Sequence, residues 1–148
     1  MKLKTRIRRA LTYWRWRLSH PTAPYEQYYV HRVMSKIRSG HGHPAIGPKA
    51  RPLRNEAELL EFLLKHGLKP GDLTIDYRCG SLRLAKPLID FLEPGKYWGM
   101  DLAQDFLDLG RAHLPPELTQ AKRPRLDVIG DEVIQRARSE APRYIISW

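Results

Sequence analysis

Asp76, Arg78, Cys79, Gly80 and Ser81 stand together in the stretch DYRCGS, and Asp101 follows Gly80 by 21 residues. The short run from Leu73 to Ile75 has strand character and closes on Asp76, Gly80 and Ser81 supply a tight turn, and the apolar run before Asp101 reads as a second strand. A carboxylate closing a strand at about this distance beyond a glycine turn is placed to accept hydrogen bonds from a ribose. The three glycine places of a dinucleotide fingerprint hold Arg78, Gly80 and Arg83. A diphosphate therefore lacks its usual backbone cradle, which counts against a nicotinamide-dependent oxidoreductase. The stretch is suited to holding a nucleoside rather than a chain of phosphates.

The elements that must position these residues can be read on either side. Asn55 with Glu58 three residues later predicts the capped start of a helix filled by Leu59, Leu60, Phe62, Leu63 and Leu64, and Gly67 is placed to end it. Lys69-Pro70-Gly71-Asp72 is a turn into the first strand. Pro87 lies inside the helix that should follow the glycine turn, so that helix starts late, near Arg83 or Leu84, or is kinked. Residues 103–113 carry a helical apolar pattern (Phe106, Leu107, Leu109) broken by Pro115 and Pro116. A third strand is predicted over Arg125 to Ile129, a helix over 131–139 and a fourth strand over Tyr144 to Trp148. Strands alternating with helices predict an α/β fold, a parallel sheet of about four strands with helices on both faces and crossovers of one hand.

Asp76-Tyr77-Arg78-Cys79-Gly80-Ser81-Leu82-Arg83, followed by Leu92 to Asp101, resembles the first two motifs of class I methyltransferases that use S-adenosylmethionine. The likeness is to a bacterial branch whose glycine turn reads Gly-Cys-Gly-Ser-Leu-Arg, and it extends over about residues 55–148. It implies a Rossmann-like sheet and S-adenosylmethionine as cofactor. By matching position, Asp76, Cys79, Gly80 and Ser81 would hold its methionine part, Asp101 the ribose hydroxyls, Leu102 would lie against the adenine, and Asp131 would fall near the adenine amino group. Methyl transfer of this kind is a displacement at a carbon activated by the sulfonium, so holding the acceptor in line is the main task left to the protein.

Two departures from the pattern bear on activity. Arg78 stands at a turn position where the family has glycine, because the backbone there approaches the ligand and adopts positive φ. The arginine either obstructs the cofactor or pairs with its carboxylate. The family's sheet is also longer than the roughly four strands legible here. The resemblance therefore implies an incomplete core, without the loops that carry acceptor-binding and catalytic residues, and with an exposed sheet edge open to self-association. The alternative to a methyltransferase acting on an unidentified acceptor is a catalytically dead remnant that serves as a basic binding module.

Charge supports that alternative. The 148 residues carry a net charge of +10, yet residues 1–54 hold 13 Lys and Arg against the single acid Glu26, leaving the remainder close to neutral. This divides the chain into a basic helical arm with a hinge loop over 1–54 and the Rossmann-like core over 55–148. Leu3, Ile7, Leu11, Trp14 and Leu18 recur every three or four residues and form one face of a basic amphipathic helix. Pro21 to Pro24 end it, and Tyr29, Val30, Val33, Met34 and Ile37 form the apolar face of a second helix that should stop near Gly40. Residues 1–20 fit three settings: docked on the core with the charges in water, laid on anionic lipid, or in contact with nucleic-acid phosphates. Tyr25, Tyr28 and Tyr29 are better placed as core and rim of a helix pair than as base-stacking rings.

Cys79 is the only cysteine, which excludes an intrachain disulfide or a cysteine zinc site and favours a reducing, cytoplasmic setting. It is expected to pack under the turn. His41 and His43 lack a third ligand and are expected in solvent, so no metal is predicted. No apolar run approaches the roughly 20 residues needed to span a bilayer, and the first 20 residues lack the apolar core of a secretory signal. A location at the membrane would be peripheral.

Overall fold

The computed structural model describes residues 3–41, 56–83 and 85–147. The chain divides into two compact units, Met1–Ala45 and Ile46–Trp148.

In the first unit, helix α1 (Leu3–Ser19) and helix α2 (Tyr25–Lys36) are joined through Pro21 and Pro24, and α2 runs on into a π-helical turn at Ile37–His41. Arg17 holds the connection by donating to the carbonyls of His20 and Ala23. Aromatic rings hold the pair together: Tyr13 meets Tyr28 edge-on at 4.9 Å, and Trp16 lies 5.4 Å from Tyr28 while stacking on His20 at 4.4 Å. Tyr28 and Val33 are buried. The helical period predicts Ile7, Leu11, Trp14 and Leu18 as one apolar face, yet they are 52, 60, 63 and 83% exposed. Tyr13 and Trp16, on a different side of α1, make the contact instead, where their rings meet those of Tyr25 and Tyr28 of α2 in the tilted and edge-on geometry that aromatic pairs favour. The loop expected from Gly40 starts later, because the π-helical turn carries through His41; the rest of the predicted hinge, with His43, and the cap residue Asn55 lie outside the described residues.

In the second unit α3 (Glu56–Lys65) buries Leu59 and Leu63, while Phe62 and Leu64 face solvent. Gly67 ends it at φ +87°: the Leu68 N–H donates to the Leu63 carbonyl and the Gly67 N–H to the Leu64 carbonyl, both at 3.0 Å. That is the paired closure a left-handed residue permits, with Leu63 and Leu68 together in the core. Then follow β1 (Thr74–Tyr77), α4 (Lys86–Phe91), β2 (Tyr97–Asp101), α5 (Gln104–His113), α6 (Pro116–Lys122), β3 (Arg125–Val128), α7 (Asp131–Ser139) and β4 (Tyr144–Ile146).

The sheet is wholly parallel, in the order β3-β2-β1-β4, as the α/β reading predicts. Each face of β2 is buried in its own cluster. Tyr97 joins Leu59, Leu63, Leu88, Ile89 and Ile146 on one side, while Trp98 and Met100 pack with Ile75 and with Val133 and Ala137 of α7 on the other. Polar contacts tie β3 and α7 to Trp98. Its indole N–H donates to Asp127 Oδ2 at 2.8 Å, the Arg125 guanidinium lies 3.6 Å over the ring, and Arg125 forks onto Glu140 at 2.6 and 2.7 Å.

Several boundaries differ from the sequence expectation. β1 extends through Tyr77, so Asp76 is its penultimate residue. α4 begins only at Lys86, later than the Arg83 or Leu84 expected, with Pro87 in its first turn, where the missing N–H costs nothing. β3 stops at Val128 and β4 at Ile146, and Trp148 lies outside the described residues. Helix α6 was not anticipated: Pro116 does not merely end α5 but opens a new helix at its first position.

Candidate functional site

Strand order reverses at β1. The chain steps outward from β1 to β2 to β3, then returns to place β4 on the other side of β1. Crevices at such reversals, beyond the carboxyl ends of the strands, are where open α/β sheets bind ligands. Asp76, Asp101 and the turn between Arg78 and Leu82 all lie at that end.

The turn is built from alternating left-handed residues: Arg78 at φ +64°, Gly80 at +59° and Leu82 at +57°. Only the middle one is glycine, so two side chains are held in a conformation that L-residues avoid. What holds them is pairing and packing. The Arg78 and Cys79 N–H groups both donate to the Met100 carbonyl, at 2.7 and 3.1 Å. The Gly80 N–H donates to Asp101 Oδ2 at 2.7 Å, and Leu82 is buried in the core. Below the turn, α5 comes so close at Gly110 that a Cβ there would sit 2.7 Å from Leu82 Cγ and 2.8 Å from the Ser81 carbonyl carbon.

Asp101 is buried, and each carboxylate oxygen accepts one backbone N–H, from Gly80 and, at 2.7 Å, from Leu102. Burial raises its pKa, opposed by those two hydrogen bonds and by the charge of Arg78. Asp76 is also buried and accepts the Tyr97 hydroxyl at 2.8 Å. Burial lifts its carboxyl to about 6, the Tyr97 hydrogen bond works against that, and Asp101 adds to it. Burial, with the charges of Asp76 and Asp101, raises the Cys79 thiol, and burial with Asp76 and Cys79 raises the Tyr97 hydroxyl. Cys79 is thus a poor nucleophile, half-buried against the position of Gly99, where a Cβ would stand 3.0 Å from its sulfur.

Asp76, Cys79, Gly80, Ser81 and Asp101 are brought to one edge, with Arg78 exposed beside them and Leu102 half-buried after Asp101. Asp131 opens α7 as an exposed residue on the same edge of the sheet, reached through Ile129, whose N–H donates to the Asp101 carbonyl at 2.9 Å. Tyr97 escaped the sequence reading. Its signal is the period of two: residues 97, 99 and 101 share a face of β2, and a tyrosine buried on a face that ends in carboxylates needs an acceptor for its hydroxyl. Among the described residues no group of three His, Cys, Asp or Glu is placed to hold a metal.

No protein-family model and no curated protein matches this sequence. Solved structures that are similar in part include two methyltransferases. One is magnesium protoporphyrin IX methyltransferase from Synechocystis PCC 6803 with bound SAM, at 21% identity and a TM-score of 0.43 over 85% of this chain and 53% of that one. The other is a TehB-like SAM-dependent methyltransferase from Corynebacterium glutamicum, at 17% identity and a TM-score of 0.35 over 72% of this chain and 45% of that one. The chain spans about half the length of each.

Proposed function

We propose that the carboxyl edge of β1 and β2 binds S-adenosylmethionine and that the chain serves methyl transfer, as its motifs suggest. Asp101 carries the proposal. One N–H on each oxygen fixes the carboxylate and leaves a lone pair on each for the two hydroxyls of a ribose. Asp76 adds a second buried acid at the same edge. Their combined field favours a ligand bearing ammonium and sulfonium charge and repels a diphosphate.

In this arrangement Asp76, Cys79, Gly80 and Ser81 line the methionine end, and the exposed Arg78 guanidinium is available to its carboxylate. Leu102 flanks the adenine, with Asp131 toward the adenine amino group. Tyr97 keeps Asp76 oriented. Bound S-adenosylmethionine supplies a methyl carbon activated by its sulfonium, and these residues bind and orient it.

Calorimetric titration with S-adenosylmethionine and S-adenosylhomocysteine tests the proposal. Saturable heat is expected from the wild-type chain and none from Asp101→Ala, with unchanged far-ultraviolet circular dichroism. Absence of heat from wild type at millimolar ligand leaves a chain without cofactor, and sinks the proposal.

A further inference from the structure

We propose that the exposed stripe of α1 is a docking surface for an anionic lipid bilayer. Ile7, Leu11, Trp14 and Leu18 recur at the spacing that keeps them on one face of a helix, and each is more than half exposed. Tyr13 and Trp16 occupy another side of α1, where the rings of α2 meet them, so the stripe is not needed to hold the helix pair together. Arg8 and Arg15, both exposed, follow Ile7 and Trp14 and run along one border of the stripe. The described segment 3–41 carries Lys4, Arg6, Arg8, Arg9, Arg15, Arg17, Arg32, Lys36 and Arg38 against Glu26 alone.

Charge complementarity with a large apolar strip selects the partner. Phosphates of a nucleic acid would use the cations but leave four large apolar side chains in water. A second copy would bring like charges together along the stripe. A bilayer surface takes both: acyl chains cover Ile7, Leu11 and Leu18, the Trp14 indole sits at headgroup level, and anionic headgroups meet the arginines. No described helix is long and apolar enough to cross a membrane, so α1 lies in the interface.

The test is co-sedimentation of the full chain with vesicles of phosphatidylcholine alone and of phosphatidylcholine mixed with phosphatidylserine. Retention by the mixed vesicles only, falling as salt rises, is expected. Arg8→Glu with Arg15→Glu should weaken it at least about tenfold, since each basic residue near an anionic surface contributes about fivefold in partitioning. Leu11→Ser with Leu18→Ser should weaken it at least about tenfold as well. All four positions are exposed, and circular dichroism checks that the helices persist. Equal retention by both vesicle types, retention by neither, or undiminished retention of the Leu11→Ser, Leu18→Ser variant overturns the proposal. So does binding to RNA or duplex DNA, or dimerisation, without any vesicle retention. None of these outcomes depends on cofactor binding.

Discussion

Asp76→Asn should make the protein more stable while removing its proposed ligand. Burial raises the Asp76 carboxyl from its ordinary 3.8 to about 6. The folded chain therefore holds a proton between those values that the unfolded chain has released. The stability linked to Asp76 is full below about pH 4, declines as pH rises through the interval and is gone above about pH 6. A shift of roughly two units, at 1.36 kcal/mol each, makes the charged carboxylate cost about 3 kcal/mol near neutrality. Asparagine removes the charge and keeps an oxygen to accept the Tyr97 hydroxyl. Urea unfolding should show the variant ahead of wild type by up to about 3 kcal/mol at neutral pH and level with it near pH 4, with a thermal midpoint up to about 10 °C higher at neutrality. The same variant should give little or no heat with S-adenosylmethionine, because a cation at that edge loses one of its two counter-charges. A difference between the two proteins that does not change with pH, or a variant less stable at neutrality, would mean that the Asp76 carboxylate is not destabilised by its burial.

Arg78→Gly relieves a side chain at φ +64°, and should stabilise by about 1 kcal/mol after the entropy of the added glycine is offset. Chemical denaturation reads this, and a loss of stability would count against the left-handed turn. In the same variant, tighter cofactor binding marks the guanidinium as an obstruction, and weaker binding marks it as a partner. Gly110→Ala places a methyl 2.8 Å from backbone that cannot swing away, so a cost of about 1–3 kcal/mol is expected; an unchanged midpoint in thermal unfolding would mean that α5 does not seat against the turn.

Local rules reach far in the second unit. Gly67 closes α3 by the bonds its position predicts, and Pro87 delays α4, although further than the sequence implied. Helix α7 spans the predicted residues. Other features depend on contacts that no local rule contains. Pro116 can end one helix or begin another, and the neighbouring chain decides that it begins α6. Tyr97 and Asp76 are 21 residues apart and become partners only through the register that sets Asp76 opposite Gly99. The period of α1 marks an apolar stripe correctly but does not say that aromatic rings on another side will make the contact with α2.

The alternation of strands and helices, the two acids flanking a glycine turn, and the basic character of the N-terminal segment are all legible in the amino-acid sequence. These depend on residue type and spacing along the chain. It took the tertiary structure to show that both oxygens of Asp101 are held by backbone N–H groups, that burial lifts the Asp76 carboxyl to about 6, and that Leu82 also takes a left-handed conformation. Each of these arises when parallel strands bring distant segments into one desolvated edge, where burial and hydrogen bonds set the chemistry of a group.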